Sequence, residues 1–322
     1  MPETTIYMHN HFLSMMTRHR LLFIALGICL AQFFLFTISV HADSLETLDT
    51  KDASIFYEQP LSGAAHKIAG LFPSVRKELE ISLGFPVDFR PAIILVSNEA
   101  AFEQIVGNRL IVAYAVPDKM LMVIDYTRSS KDPFSTRTIL KHELCHLLLH
   151  RHIQTLPRWL DEGVSQWVSG GFAELFSEKR ESYLRWATIS GGLISLNAMD
   201  NSFPQDEPGL VLAYEQSRSI VDYIVFRYGK NGITNILTAL KNGKPIQDAI
   251  MISLGTPLPT LEKDWRESIR TWSILLVFIM GNIYSIIFFL AALATMAGYV
   301  RYRIRRRRFI EEEEEIYPEN PS

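Results

Sequence analysis

Residues 138–150 read TILKHELCHLLLH. Three histidines, His142, His146 and His150, fall four residues apart, and Glu143 directly follows the first. Pro133 after Asp132 is an N-cap and first-turn pair that opens a helix upstream of this stretch. On that helix His142 and His146 stand one turn apart on one face. The pattern His-Glu-x-x-His lets two imidazoles take one zinc ion, with Glu143 beside them as the carboxylate that moves the proton of an attacking water. The competing reading is an amphipathic helix whose histidines are solvated or packed in the core.

A catalytic zinc takes three protein ligands and keeps one open position. His150 lies about 12 Å from His142 along the helix axis, too far for three successive turns of a straight helix to converge on one ion. His152 stands at the spacing of the third histidine in HExxHxxGxxH, but position 149 is Leu where that pattern requires the turning glycine. Glu162, in LPRWLDEGVSQWVSG, is the third candidate beside these two: a second helix after a short loop can fold back and offer a carboxylate. Asp161 points about 100° away from Glu162 and is a candidate to orient a histidine, or a capping carboxylate. Gln166, one turn beyond Glu162, is a weaker candidate of the same kind. Cys145 on the flank of the histidine helix reads as a packed thiol.

The chain has 322 residues, a net charge of −3 and a hydrophobic fraction of 48%. That length holds one or two domains, and no basic excess points to nucleic acid. Two cysteines, Cys29 and Cys145, provide no disulfide framework. The apolar residues concentrate at the ends. Residues 18–20 (RHR) precede LLFIALGICLAQFFLFTISV, and small residues at Val40 and Ala42 follow, so residues 1–42 read as a signal peptide cut after Ala42, or as an uncut anchor. Residues 273–300 form a second apolar run, flanked by Trp272 and Tyr299 and followed by RYRIRRRR, with six arginines in eight residues. This reads as one transmembrane helix within 271–300, with the arginine end in the cytoplasm. Residues 301–322 are then a cytoplasmic tail whose EEEEE run, 311–315, reads as a solvated end. Residues 43–270 become an extracytoplasmic domain on the cytoplasmic membrane.

Within that domain the first third mixes strands and helices. SIFYEQ (54–59), FRPAIILVS (89–97), RLIVAYAV (109–116) and KMLMVID (119–125) read as strands, the last two paired. Residues 64–84 and 98–107 read as helices, stopped by Gly84 and capped by Asn98. The later part reads as helical: from Pro157 to Gly170, roughly 174–188, and near 210–228, 231–241, 245–253 and 259–270. A β-containing half followed by a helical half is an α+β class.

HELCH followed by Pro157, Trp159-Leu160-Asp161-Glu162-Gly163 and the later YEQSRSIVDYIVFRYG (214–229) resembles the gluzincins, and among them the peptidase MA-like metallohydrolases. The resemblance covers about residues 50–270. It implies a zincin-like catalytic domain, a small mixed sheet followed by the helical half. It also implies Zn2+ held by His142, His146 and Glu162, with Glu143 as general base and then general acid. Tyr214 becomes the candidate donor to the oxyanion, with Tyr223 and Tyr228 packed aromatics and Arg218 either a substrate-carboxylate partner or a surface ion pair. An edge strand from the pair 109–116 and 119–125 would receive the backbone of a protein or peptide substrate. The expected function is therefore a membrane-anchored zinc metallopeptidase. Two alternatives stand beside it: a zinc amidohydrolase acting on a non-protein amide or a peptidoglycan stem, and a non-catalytic zinc-stabilised binding module.

Overall fold

The computed structural model describes residues 45–129, 135–171 and 183–316. The signal segment expected over 1–42 lies outside the described residues, as does the expected helix start at Pro133. The described chain divides into two compact units, one ending at Leu147 and the other beginning at Leu148. The division falls inside one continuous helix, Thr136–His152.

The first unit is built on a five-stranded sheet. Its strands are β1 (Glu46–Asp49), β2 (Ser54–Tyr57), β3 (Ala92–Val96), β4 (Ala113–Val116) and β5 (Leu121–Asp125). Their order is β1-β2-β3-β5-β4. β2, β3 and β5 run parallel, in register Ile55 to Ile93 and Ile94 to Val123, and β1 and β4 are antiparallel edges. The pair expected over 109–125 is present as β4 and β5, joined through Pro117–Lys119.

A parallel β2–β3 pair needs a crossover, and α1 (Ser62–Leu83) provides it. Ala65, Ile68, Phe72, Val75, Leu79 and Leu83 form its buried stripe, at the three- and four-residue spacing of one helix face. Gly84 ends the helix at φ 74°, a left-handed cap that costs a glycine no Cβ clash. α2 (Glu99–Val106) begins where the Asn98 side chain accepts the Ala101 N–H. α3 (Thr136–His152) is tied to α1 through Glu78, which takes an ion pair from Arg137 and a 3.1 Å bond from Lys141. The Lys141 hydrogen bond, ahead of other nearby charge, holds the Glu78 carboxyl below its ordinary pKa.

The second unit is helical. It contains α4 (Arg158–Ser169), α5 (Tyr183–Ser190), α6 (Glu207–Tyr228), α7 (Lys230–Lys241), α8 (Ile246–Leu254) and α9 (Leu258–Gly281). Trp159 and Trp265 are its largest fully buried side chains. α4 and α6 approach closely at Gly163. A Cβ there would lie 2.2 Å from the Ser217 carbonyl oxygen and 2.7 Å from Val221 Cγ2. α9 is fixed at its start: Trp265 Nε1 donates to Ser219 Oγ at 3.1 Å, and Arg266 donates to the Ile194 carbonyl at 2.9 Å.

The apolar run 273–300 is not one helix. α9 ends at Gly281, a turn falls at Asn282, and α10 spans Ile283–Ile316. Glycine and asparagine are poor helix formers, and here they stand together in an otherwise helical sequence. Ile283–Arg306, 24 residues at a mean hydropathy of 2.0 and with none of that apolar stretch buried, is long and apolar enough to cross a membrane. The helix then continues through the arginine block and the glutamate run to Ile316. Arginine and glutamate are strong helix formers, which explains why the helix persists where the charge run reads as a solvated end.

Candidate metal centre

Burying an ionisable side chain without partners is costly, yet α3 and α4 bury several together. His142 and Glu143 are fully buried, and His146 and Glu162 are each 6% exposed. The helical repeat brings His142 Nε2 and His146 Nε2 within 3.0 Å, their rings edge-on at 77°. One ligand atom from each of His142, His146 and Glu162 lies within 4.8 Å of the others.

This donor set fits a zinc ion. Two nitrogens each about 2.0–2.1 Å from a tetrahedral ion stand about 3.3 Å apart, and the two imidazoles already approach that separation. Two neutral imidazoles and one carboxylate also leave one position of a tetrahedron for substrate or water.

His150 and His152 are not part of this group. His150 Nε2 instead meets Asp161 Oδ2 at 2.9 Å, joining the end of α3 to α4 one residue before Glu162. Asp161 thus does orient a histidine, though it is one outside the ligand group. Cys145 is fully buried, as a packed thiol should be.

The start of α4 is held from elsewhere in its own unit. The Arg158 N–H donates to the Asp200 carbonyl at 2.8 Å, and Trp159 Nε1 donates to Asp200 Oδ1 at 3.1 Å. Burial raises the Asp200 carboxyl pKa, and the Trp159 bond offsets part of that rise. Glu162 is held by α6: Tyr214 donates its hydroxyl to Glu162 Oε1 at 3.2 Å. Gln166 Nε2 donates to the Tyr214 carbonyl at 3.2 Å, so the same turn of α6 is bound twice by α4. Phe203 packs edge-on against Tyr214, with ring centroids 5.3 Å apart, and carries the Arg158 guanidinium 4.8 Å above its own ring. Arg158 Nε stands 3.8 Å from Glu162 Oε1.

Arg218 pairs with Asp222 at 2.7 Å and donates to the Gln166 carbonyl, the ion-pair alternative for this residue. Arg158, Asp200 and Phe203 carry no motif. The available signal was an isolated aromatic, Phe203, in a polar loop, and an arginine one turn ahead of a candidate ligand.

The model of the peptidase MA superfamily matches residues 109–271, just over half of the chain. No curated protein matches the sequence. Among solved structures, a mutant of the M1 zinc metallopeptidase from Deinococcus radiodurans aligns at 13% identity and TM-score 0.40, over 71% of this chain and 50% of that one. The chain thus spans about half the length of that structure. The matched segment begins ahead of β4 and runs into α9, taking in the HELCH helix, the WLDEG helix and α6, and on that match the chain belongs to the peptidase MA superfamily.

Proposed function

We propose that the protein is a membrane-anchored zinc metallopeptidase that hydrolyses peptide bonds of an extracytoplasmic protein or peptide. The observation that carries this reading is the buried convergence of His142, His146 and Glu162 beside Glu143. Zinc at this position would acidify water and polarise the scissile carbonyl.

The remaining chemistry belongs to the chain. The carboxylate of Glu143 accepts a proton from the attacking water and delivers it to the departing amine nitrogen. His142, His146 and Glu162 bind the ion, and Tyr214 and the α4 contacts hold Glu162 in orientation. The Tyr214 hydroxyl is also the proposed donor to the developing oxyanion. Its bond to Glu162 keeps it one ligand away from the reacting centre, and serving the oxyanion requires it to turn from Glu162 toward substrate. β4 is the edge strand of the pair 109–125, which supports it over the interior β5 as the strand that receives substrate backbone.

The apolar helix Ile283–Arg306 supports an anchor, and the arginines after it support a cytoplasmic C-terminus with residues 43–270 outside. Purified full-length chain, zinc-loaded in detergent, is expected to cleave unfolded protein or peptide libraries, and Glu143→Gln to retain zinc and lose cleavage. Turnover confined to non-protein amides would replace the peptidase reading with an amidohydrolase. Undiminished turnover by Glu143→Gln would remove the mechanism.

A further inference from the structure

α10 does not end where its apolar sequence ends. It runs unbroken from Ile283 to Ile316, through RYRIRRRR at 301–308. A bilayer core about 30 Å thick takes about 20 residues of helix, so a span that starts at Ile283 leaves the core near Tyr302. Tyr299 and Tyr302, each 59% exposed, mark that level, as aromatic residues do where a helix leaves lipid. Arg301, Arg303, Arg305 and Arg306 are all exposed there.

Residues three or four apart on a helix are neighbours, and here those neighbours carry like charge: Arg301 with Arg305, and Arg303 with Arg306 and Arg307. No acidic residue stands at either spacing from any of the four exposed arginines. The first glutamate of the run, Glu311, comes more than a turn beyond Arg306. A helix that persists through such repulsion calls for counter-charge from outside the chain. At about 100° per residue, the four arginines fall at about 0°, 200°, 40° and 140° around the axis. A protein partner would meet one stripe of the helix, whereas lipid headgroups surround it. A second copy of the chain crossing in the same direction would set arginine beside arginine. Guanidinium groups match phosphate oxygens in two parallel bonds. We propose that Arg301, Arg303, Arg305 and Arg306 form a collar that binds the phosphates of anionic phospholipids where α10 leaves the bilayer. This rests on the anchor reading of the same helix.

The test uses full-length zinc-loaded chain reconstituted into nanodiscs of phosphatidylcholine that carry a trace of spin-labelled phosphatidylglycerol or spin-labelled phosphatidylcholine. Electron paramagnetic resonance separates lipid slowed against the protein from free lipid, and so gives the relative association of the two headgroups. One arginine near an anionic surface is worth about five-fold, so phosphatidylglycerol is expected to associate about five-fold or more over phosphatidylcholine. In 1 M salt, where charges are screened beyond about 3 Å, the preference should fall toward one. The combined variant Arg301→Gln, Arg303→Gln, Arg305→Gln and Arg306→Gln should lower it to about two-fold or less, and the same four positions changed to lysine should keep at least half of it. Zinc content should be the same in all three proteins. A preference that survives the glutamine substitutions or high salt would overturn the proposal. So would equal loss in the glutamine and lysine variants, which would trace the effect to a disturbed helix rather than to lost charge. Slowed lipid of both kinds with no preference in the wild type would overturn this inference alone. Absence of slowed lipid of either kind would overturn the anchor reading and the collar with it.

Discussion

Replacing Gly163 with alanine sets two effects of opposite sign against each other. In a helix interior, alanine is favoured over glycine by about 1 kcal/mol, so Gly163→Ala in α4 would stabilise a solvent-facing turn. Here the new Cβ would lie 2.2 Å from the Ser217 carbonyl oxygen, 2.7 Å from Val221 Cγ2 and 2.9 Å from the Ser217 carbonyl carbon. An ordinary carbon–oxygen contact is about 3.3 Å, so α4 and α6 must separate by about 1 Å. The obstruction is backbone, which no change of rotamer relieves. Overpacking of this kind costs about 1–3 kcal/mol, and the backbone contact puts it at the upper end. The net loss is about 2 kcal/mol, or roughly 4–8 °C in Tm for a domain of this size. The same displacement would lengthen the 3.2 Å Tyr214–Glu162 bond, so zinc affinity should fall by about ten-fold or more, as for other contacts that orient a ligand. Calorimetric melting of wild type and variant, each with and without zinc, measures both effects. An unchanged or higher Tm would mean that the helices do not meet at Gly163, and the packing account of the WLDEG glycine would be wrong.

Other substitutions separate the roles around the metal. Glu143→Gln should bind zinc normally, by metal analysis of the purified protein, while kcat falls by about 10²–10⁴, the contribution of one general base. Tyr214→Phe, assayed at saturating zinc, should lower kcat about 10²-fold through loss of an oxyanion donor, and should weaken zinc about ten-fold through loss of the bond to Glu162; full kcat at saturating zinc would confine Tyr214 to holding Glu162. His150→Ala should keep its zinc and cost about 1 kcal/mol of stability, the value of one partly exposed hydrogen bond to Asp161; denaturant unfolding reads this directly, and an empty metal site would restore His150 as a ligand.

Much of the metal centre could be read from the sequence because it is local. His142, Glu143 and His146 are fixed by one helical repeat, and Pro157 and Gly170 bound the helix that carries Glu162. Residues brought together from distant parts of the chain were less legible. The placement of β5 between β3 and β4 depends on parallel pairing across a crossover, which no stretch of residues encodes alone. β1, ETLD, has no apolar alternation because it is an exposed edge, so it left no strand signal. Asp200 and Phe203, which meet Arg158, Trp159 and Tyr214, lie in the loop before α6. The break at Gly281-Asn282 was legible in composition, yet the surrounding run of apolar residues masked it. The Asp161 reading was half complete: the carboxylate does meet a histidine, and backbone geometry chose His150.

Metal content tests the ligand assignment most directly. Full-length protein purified with zinc should carry one ion per chain by elemental analysis. Glu162→Ala, His142→Ala and His146→Ala should each empty the site or weaken it severely, and His152→Ala should leave it filled. Loss of zinc on His152→Ala with retention on Glu162→Ala would contradict the assignment of the third ligand and the chemistry built upon it.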